Sequence, residues 1–406
     1  MLINLLKLFG LVLVATVLLA GVFFWDNIKG ILPGVTKAPG DIAEIINNNN
    51  AGIPGDAENN TEFPLTIPDG FKIEIFAKDL ENARVMAFDG NGDMWVSRSS
   101  SGIVTKLDIE NNQVVGQQNL LTGLNRPHGL AFDYRDYSKL YVAEEGQIIR
   151  VDLSAGNTKQ KIADLPTEGG GHSTRTIDFG PDDKLYVSIG SSCNVCEESD
   201  PRRAAIYSMN RDGSDFKQYA SGLRNAVFFD WSELDGSMWA TENSRDLIGD
   251  DIPPDELNVI KEGGNYGWPI CYGQNIHDSA YDKKTYIRNP CMEPFETPAK
   301  VDLQAHSAAL GLGFVPERLL WPEDYWYDLI VAYHGSWNRT EPTGYKLVRI
   351  KIDGQGNYQG TEDFISGWLT PEGVLGRPVD VKFSPNAELF VSDDKAGVIY
   401  KITPQE

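Results

Sequence analysis

The chain has 406 residues and carries 36 Lys+Arg against 58 Asp+Glu, a formal net charge of −22. That balance excludes a nucleic-acid partner, because phosphate binding needs a basic footprint. With 41% hydrophobic and 23% charged residues the profile is globular and not disordered.

The first element is an apolar segment. Lys7 is the only charge before Asp26, and residues 8–25 between them are uncharged and mostly apolar. As a helix at ~1.5 Å per residue they reach roughly 27 Å, enough to span a hydrocarbon core. The sequence predicts an uncleaved membrane anchor over residues 1–29. A cleaved signal peptide is the alternative, with Leu18-Leu19-Ala20 as a poor cleavage site. Either way the body lies on the periplasmic or extracellular side, where disulfides persist. Residues 30–66, with Pro33, Pro39, Pro54, Pro64 and the Asn47–Asn50 run, read as a polar linker.

From residue 67 to 406 one pattern recurs: an apolar strand, a turn of Asp, Gly, Asn or Pro, and a second strand with an aromatic-plus-Val signature. The copies start at Met86, Gly129, Thr176, Val227, Leu312 and Val379, so their spacings are 43, 47, 51, 85 and 67 residues. The shorter spacings match a four-stranded propeller blade, and the longer ones require insertions. The expected fold is all-β, a six-bladed β-propeller behind an N-terminal transmembrane or signal helix. A large β-sandwich is the alternative, but it has no reason to repeat one hairpin six times. FKIEIFAKDL, from Phe71, is expected to close the ring by adding an outer strand to the last blade.

Candidate chemistry lies before the core strands and in the insertions. None of the five histidines has HExxH spacing, which argues against a zinc hydrolase. His172, in EGGGHSTR, is a loop-mounted candidate general base. His128 and His334 flank core strands at comparable places, where a structural role competes; His306 is open between the two, and His277 reads as a surface residue. Arg126, Arg175, Arg224, Arg339 and Arg377 lie at matching edges. Several guanidiniums aimed at one mouth of an acidic protein suit a polyanionic small molecule. Glu242, Asp246, Asp250, Asp251, Asp255 and Glu256 fall within fifteen residues, a density that suits Ca²⁺ without matching an EF-hand. An acidic solvated loop is the alternative. Cys193-Asn-Val-Cys196 is followed by Glu197 and not His, which excludes c-type haem attachment. The expected bridges are 193–196 and 271–291, of three formally possible pairings.

The strings GGHSTRTIDFGPDDKLYVSIGSSCNVC, GLRNAVFFDW, DELNVIKEGGNYGWP, HGSWNR, GRPVDV and SDDKAGVIYKI resemble the L-sorbosone dehydrogenase-like branch of the soluble glucose/sorbosone dehydrogenases. The resemblance runs from about Ile67 to the C-terminus and implies a six-bladed propeller using pyrroloquinoline quinone (PQQ) and Ca²⁺. By match it makes His172 the base that takes a hydroxyl proton while hydride passes from the sugar C1 to the quinone. It makes Arg224, Asn225 and Arg377 cofactor-binding positions, with Asp394 and Lys395 beside them. Glu256 and Tyr266 match a structural Ca²⁺ site. Ser244, Arg245 and Asp246 lie where backbone carbonyls hold the cofactor's Ca²⁺. The chain departs from the family where Leu124-Asn125-Arg126 replaces a Gln-Gly-Gly string and Val379 replaces a second arginine. The HGSWNR loop replaces a lysine, for which Arg339 or His334 compensates. These departures do not carry glucose specificity over.

The expected function is thus a membrane-tethered, PQQ- and Ca²⁺-dependent dehydrogenase of aldoses or related aldehydes, passing electrons to a periplasmic acceptor. A Ca²⁺-dependent lactonase on the same fold is a competing expectation. It requires Ca²⁺ held by side-chain carboxylates at the channel centre. A non-enzymatic glycan-binding propeller is a third.

Overall fold

The computed structural model describes residues 57–405. The expected anchor and most of the expected linker lie outside them. No described helix is long and apolar enough to cross a membrane.

Six antiparallel sheets follow one another along the chain, each starting with one of the six repeated hairpins. Blade 1 comprises Ala83–Phe88, Met94–Arg98, Ile103–Glu110 and Gln113–Leu121. Blade 2 comprises Leu130–Phe132, Lys139–Ala143, Gln147–Asp152 and Thr158–Asp164, and blade 3 Ile177–Phe179, Leu185–Ile189, Ala205–Met209 and Lys217–Ser221. Blade 4 takes Phe228–Trp231, Met238–Glu242, Asp255–Ile260 and, after a long excursion, Val301–Leu303. Blade 5 runs Ala309–Phe314, Leu329–Tyr333, Lys346–Ile352 and Tyr358–Ile365. Blade 6 takes Pro378–Phe383, Leu389–Asp393 and Val398–Pro404 from the C-terminus. It is completed by Phe71–Ala77, antiparallel to Val398–Pro404, as the sequence predicted for ring closure.

The burial pattern explains the sequence signature. The second strand of a blade packs on neighbours through both faces, so Met94–Arg98, Leu185–Ile189, Met238–Glu242, Leu329–Tyr333 and Leu389–Asp393 are buried at every position. Outer strands such as Gln113–Leu121 alternate toward solvent. Turns at the lower end of the blades use Asp side chains to hold the following backbone, as Asp89 Oδ1 holds the amides of Asn91 (2.8 Å) and Asp93 (3.1 Å).

The linker expected to run to residue 66 ends earlier. Glu58–Asn60 pairs in parallel with Phe71–Ala77, Phe63 and Leu65 are buried, and Thr66 bridges Ser366. Two spaced apolar residues in a polar stretch suffice when a blade edge offers both hydrogen bonds and a hydrophobic cleft. Both expected disulfides are present, Cys193–Cys196 and Cys271–Cys291.

Candidate active site

One end of the propeller gathers nearly all the sequence candidates. There the loops that enter the inner strands meet the loops between the second and third strands, and backbone hydrogen bonds join the two sets. The amides of His128, Glu145, Ser191, Asn243 and His334 bond the carbonyls of Ala143, Asn125, Arg224, Asn225 and Ala308.

His172 stands at this mouth. The preceding Gly169, Gly170 and Gly171 all have left-handed backbone (φ +85°, +71°, +73°), a path closed to most side chains. Such a loop cannot hold itself, and two buried arginines do so. Arg175 Nη1 donates to the carbonyls of His172 (2.9 Å) and Thr174 (2.7 Å), and its Nη2 to that of Pro166 (2.9 Å). Arg203 donates to the carbonyls of His172 (3.2 Å), Gly190 (3.3 Å) and Glu168 (2.9 Å). Sequence reasoning missed Arg203, whose CNVCEESDPRR context offers no repeat position.

The ring is set by Ser191. His172 Nδ1 lies 3.1 Å from the Ser191 carbonyl and 3.0 Å from its Oγ, and that hydroxyl donates to the Cys193 carbonyl at 2.7 Å. Both facing oxygens therefore accept, which assigns the proton to Nδ1 and leaves the Nε2 lone pair without a protein partner among the described residues. Burial first, and then the Arg224 charge, push the imidazole down to about 3, so it stays neutral. Gly190 lies under the ring: a Cβ there would meet His172 Cβ at 2.6 Å and Asn225 Oδ1 at 2.5 Å. Asn225 thus sits beside the base, and its amide has no hydrogen bond to protein among the described residues.

Arg224 is at the mouth but its donors are spent. Nε bonds the Asn194 carbonyl (2.9 Å), Nη1 the carbonyls of Asn243 (2.9 Å) and Ser244 (2.7 Å), and Nη2 Asn194 Oδ1 (3.0 Å) and Asp246 Oδ2 (3.0 Å). Those five bonds use all five N–H groups of a guanidinium. Arg339 faces the acidic loop, bonding the Asp250 and Glu341 carbonyls and pairing with Asp251 at 3.1 Å. Arg377 keeps a donor: Nε and Nη2 bond the carbonyls of His334 (3.1 Å) and Gly335 (2.9 Å), while Nη1 has no protein partner among the described residues. His334 Nε2 faces Asp394 at 3.0 Å; burial pushes this imidazole down to about 4 despite the nearby carboxylate. Burial disfavours the Asp394 charge, yet His334 and Arg84 hold the carboxyl well below its usual range. Lys395 is exposed at the rim of blade 6. His128 lies buried against Phe228, with Nε2 lacking a partner. His306 is structural, placing Nε2 against the carbonyls of Gly249 (2.9 Å) and Ile252 (3.1 Å). His277 pairs with Asp282 on the blade 4 excursion, away from the mouth.

The six acids from Glu242 to Glu256 do not converge on one point, which corrects the expectation of a single Ca²⁺ loop. Asp246 pairs with Arg224, Asp250 accepts from Thr340 N, Asp251 meets Arg339, and Asp255 accepts from the amides of Ser244 and Ala308. Arg245 pairs with Asp278 at 2.6 Å. The Ser244 carbonyl accepts from the Arg224 guanidinium at 2.7 Å. Only Glu242 and Glu256 stay together, opposite each other on paired strands. Asn258 Nδ2 donates to Glu242 Oε2 (3.1 Å) and Glu256 Oε2 (3.0 Å). Asn258 Oδ1 and Glu296 Oε2 are buried without a partner. Burial pushes Glu256 up to about 7 and Glu296, with the Glu256 charge adding, up to about 8. Tyr266 is buried next to this group but turns its hydroxyl to the Val259 carbonyl at 2.6 Å.

The channel itself holds a lysine. Lys382 Nζ lies 3.8 Å from Asp178 Oδ2. Burial works against its charge, but Asp178, Asp230 and Asp380 hold the ammonium above its usual range. At the mouth a cavity of about 440 Å³ is lined by Arg84, Arg126, His128, Ser173, Thr174 and Asp394 among others. A larger cavity of about 830 Å³ lies at the opposite end, among Asp89–Gly92 and Ser384–Glu388, and its lining contains no histidine, lysine or arginine.

Comparison with known proteins adds four findings. A family model described as TrAA12-like matches residues 65–405. An uncharacterized protein of Borreliella burgdorferi is 31% identical over 361 residues, covering 83% of this chain and 90% of its own. Quinoprotein glucose dehydrogenase B of Acinetobacter calcoaceticus is 22% identical over 82% of each chain. Among solved structures, the holo form of the pyranose dehydrogenase PQQ domain from Coprinopsis cinerea is similar with a TM-score of 0.70 at 18% identity, covering 86% of this chain and 98% of that one. The last likeness speaks for the fold.

Proposed function

The chain belongs to the TrAA12-like family, and on that premise we propose that it is a PQQ-dependent dehydrogenase oxidising the C1 position of an aldose or a related, sorbosone-like aldehyde. The observation that carries this reading is the neutral His172 imidazole, with Nε2 unpartnered beside the unengaged Asn225 amide. The names of its quinoprotein and PQQ-domain relatives support the choice of cofactor. So does the mouth itself: Arg377 Nη1 is an unused donor, and His128 Nε2 is an orphaned polar atom at the cavity wall.

When bound, PQQ supplies a quinone able to accept hydride. The protein's own groups do the remainder. A sugar hydroxyl is a poor hydride donor until its proton is leaving, so a base within hydrogen-bond reach is required. His172 Nε2 takes the C1 hydroxyl proton as the C1–H bond gives up its electron pair and the C1–O bond becomes a carbonyl. Ser191 keeps the proton on Nδ1 throughout. Asn225 orients the substrate by hydrogen bonding, and Arg175 and Arg203 hold the glycine loop so that Nε2 keeps its place.

We place calcium at the facing pair Glu242 and Glu256, where Asn258 Oδ1 is a further hard oxygen without a partner. A cation there is structural and takes no part in the transfer. The reading also includes a membrane tether at residues 8–25 and a periplasmic electron acceptor. The lactonase alternative is disfavoured by Lys382, whose ammonium already occupies the channel carboxylates. The test is reconstitution of the full chain with PQQ and Ca²⁺, followed by a dye-reduction screen over aldoses. Saturable binding and dye reduction by at least one aldose are expected; no PQQ binding in the presence of Ca²⁺ would remove the dehydrogenase and promote a hydrolase.

A further inference from the structure

An arginine whose N–H groups are all bonded to protein cannot receive a ligand carboxylate without breaking those bonds. Arg224 is in that condition, and Arg339 faces another loop. The mouth cavity offers two arginines that are not. Arg84 makes one side-chain bond, Nη1 to Asp394 Oδ2 at 2.8 Å, which leaves Nε and Nη2 free among the described residues. Arg126 has only a 3.8 Å approach to Glu145, with 60% of its side chain exposed. Its backbone is left-handed (φ +49°), a conformation that a non-glycine residue keeps only where its surroundings hold it. Both guanidiniums line the same cavity of about 440 Å³, within the size range of cofactor sites. Ser173 and Thr174, next to the base His172, line it too. The one acid in the lining, Asp394, is already paired with Arg84 and His334. The local charge is therefore positive in a chain of net charge −22.

We propose that Arg84 and Arg126, with Arg377, receive the carboxylates of the quinone cofactor, and that Arg224 is a positioning residue that ties Asn194 to the 243–246 loop. This rests on the PQQ reading above. A charge-assisted, forked contact of this kind contributes about tenfold or more in affinity.

The test is an equilibrium titration of the apo full chain with PQQ, read by tryptophan fluorescence and independent of turnover. A parallel thermal-shift titration uses citrate, a tricarboxylate without a quinone. Arg126→Gln, on an exposed side chain, and Arg84→Gln are each expected to weaken PQQ binding about tenfold. Arg84→Lys should recover part of the loss, and Arg135→Gln at the opposite end should leave affinity within about twofold. Unchanged PQQ affinity in Arg84→Gln and Arg126→Gln would overturn the proposal while leaving the function intact. Citrate binding that depends on both arginines, with no PQQ binding to the native chain, would keep the anion site and overturn the function. Citrate binding indifferent to both, with no PQQ binding, would overturn both.

Discussion

Burial and the Arg224 charge push the His172 imidazole down to about 3, so the base is neutral from pH 5 to pH 8. The predicted kcat/KM stays within about twofold from pH 8 to pH 5. A base of ordinary affinity would lose roughly thirtyfold over that span, and a loss of that size in the pH profile would show that the imidazole titrates normally. His172→Gln keeps volume and PQQ affinity but lowers kcat by at least about 10²-fold; near-normal turnover with bound PQQ would move the base elsewhere. His172 was legible because three glycines before a lone histidine leave it no packing role. Arg84 was legible in principle, since it precedes the Met86 hairpin as Arg377 precedes that of Val379. It was overlooked because ARVMAF reads as plain strand. That Arg224 spends every donor on protein could not be read at all, because its partners Asn194, Asn243, Ser244 and Asp246 come from two loops of different blades.

Among elements, the acidic stretch shows where sequence density misleads. Six carboxylates within fifteen residues looked like one cage. Asp255 and Glu256 are successive strand residues, so they point to opposite faces, and Asp246 is drawn off by an arginine from the preceding blade entry. What remains is the buried pair Glu242 and Glu256 around Asn258, with the Glu256 charge also felt by Glu296 from the far end of the blade 4 excursion. Asp255 and Glu256 are pushed up to about 7 and Glu296 to about 8, chiefly by burial. Their native affinity for protons exceeds that in the unfolded chain, near 4. Their contribution to stability is therefore fully present below about pH 4 and is lost as pH rises through 7 to 8. EGTA-treated protein should melt progressively lower from pH 5 to pH 8, and millimolar Ca²⁺ should restore the melting temperature at pH 8 by binding the native state. Equal melting temperatures with EGTA and with Ca²⁺ at pH 8 would count against a cation at these residues.

The whole molecule was the most legible level, because six copies of one hairpin leave little choice of architecture and Phe71–Ala77 has the composition of a missing outer strand. The packed 57–66 segment was not legible, since Phe63 and Leu65 acquire meaning only once a blade edge exists to receive them. Closure predicts cooperativity: Phe71 is buried against Trp321, Tyr325 and Phe364 with ring separations of 5.4, 5.2 and 5.3 Å. Phe71→Ala should cost about 3–5 kcal/mol in urea unfolding, and a loss below about 1 kcal/mol would mean that the ring does not unfold as one unit. A closed ring also fixes the distance between blades 1 to 3 and blade 6, whose ends frame one mouth and carry His172, Arg84, Arg126 and Arg377. The most direct measurement is a single-turnover experiment on PQQ-reconstituted protein, mixed without oxygen with excess aldose and followed by quinone absorbance. The quinone should be reduced stoichiometrically in native protein and at least about 10²-fold more slowly in His172→Gln. Bound quinone that no aldose reduces, or that both proteins reduce at the same rate, would contradict the account.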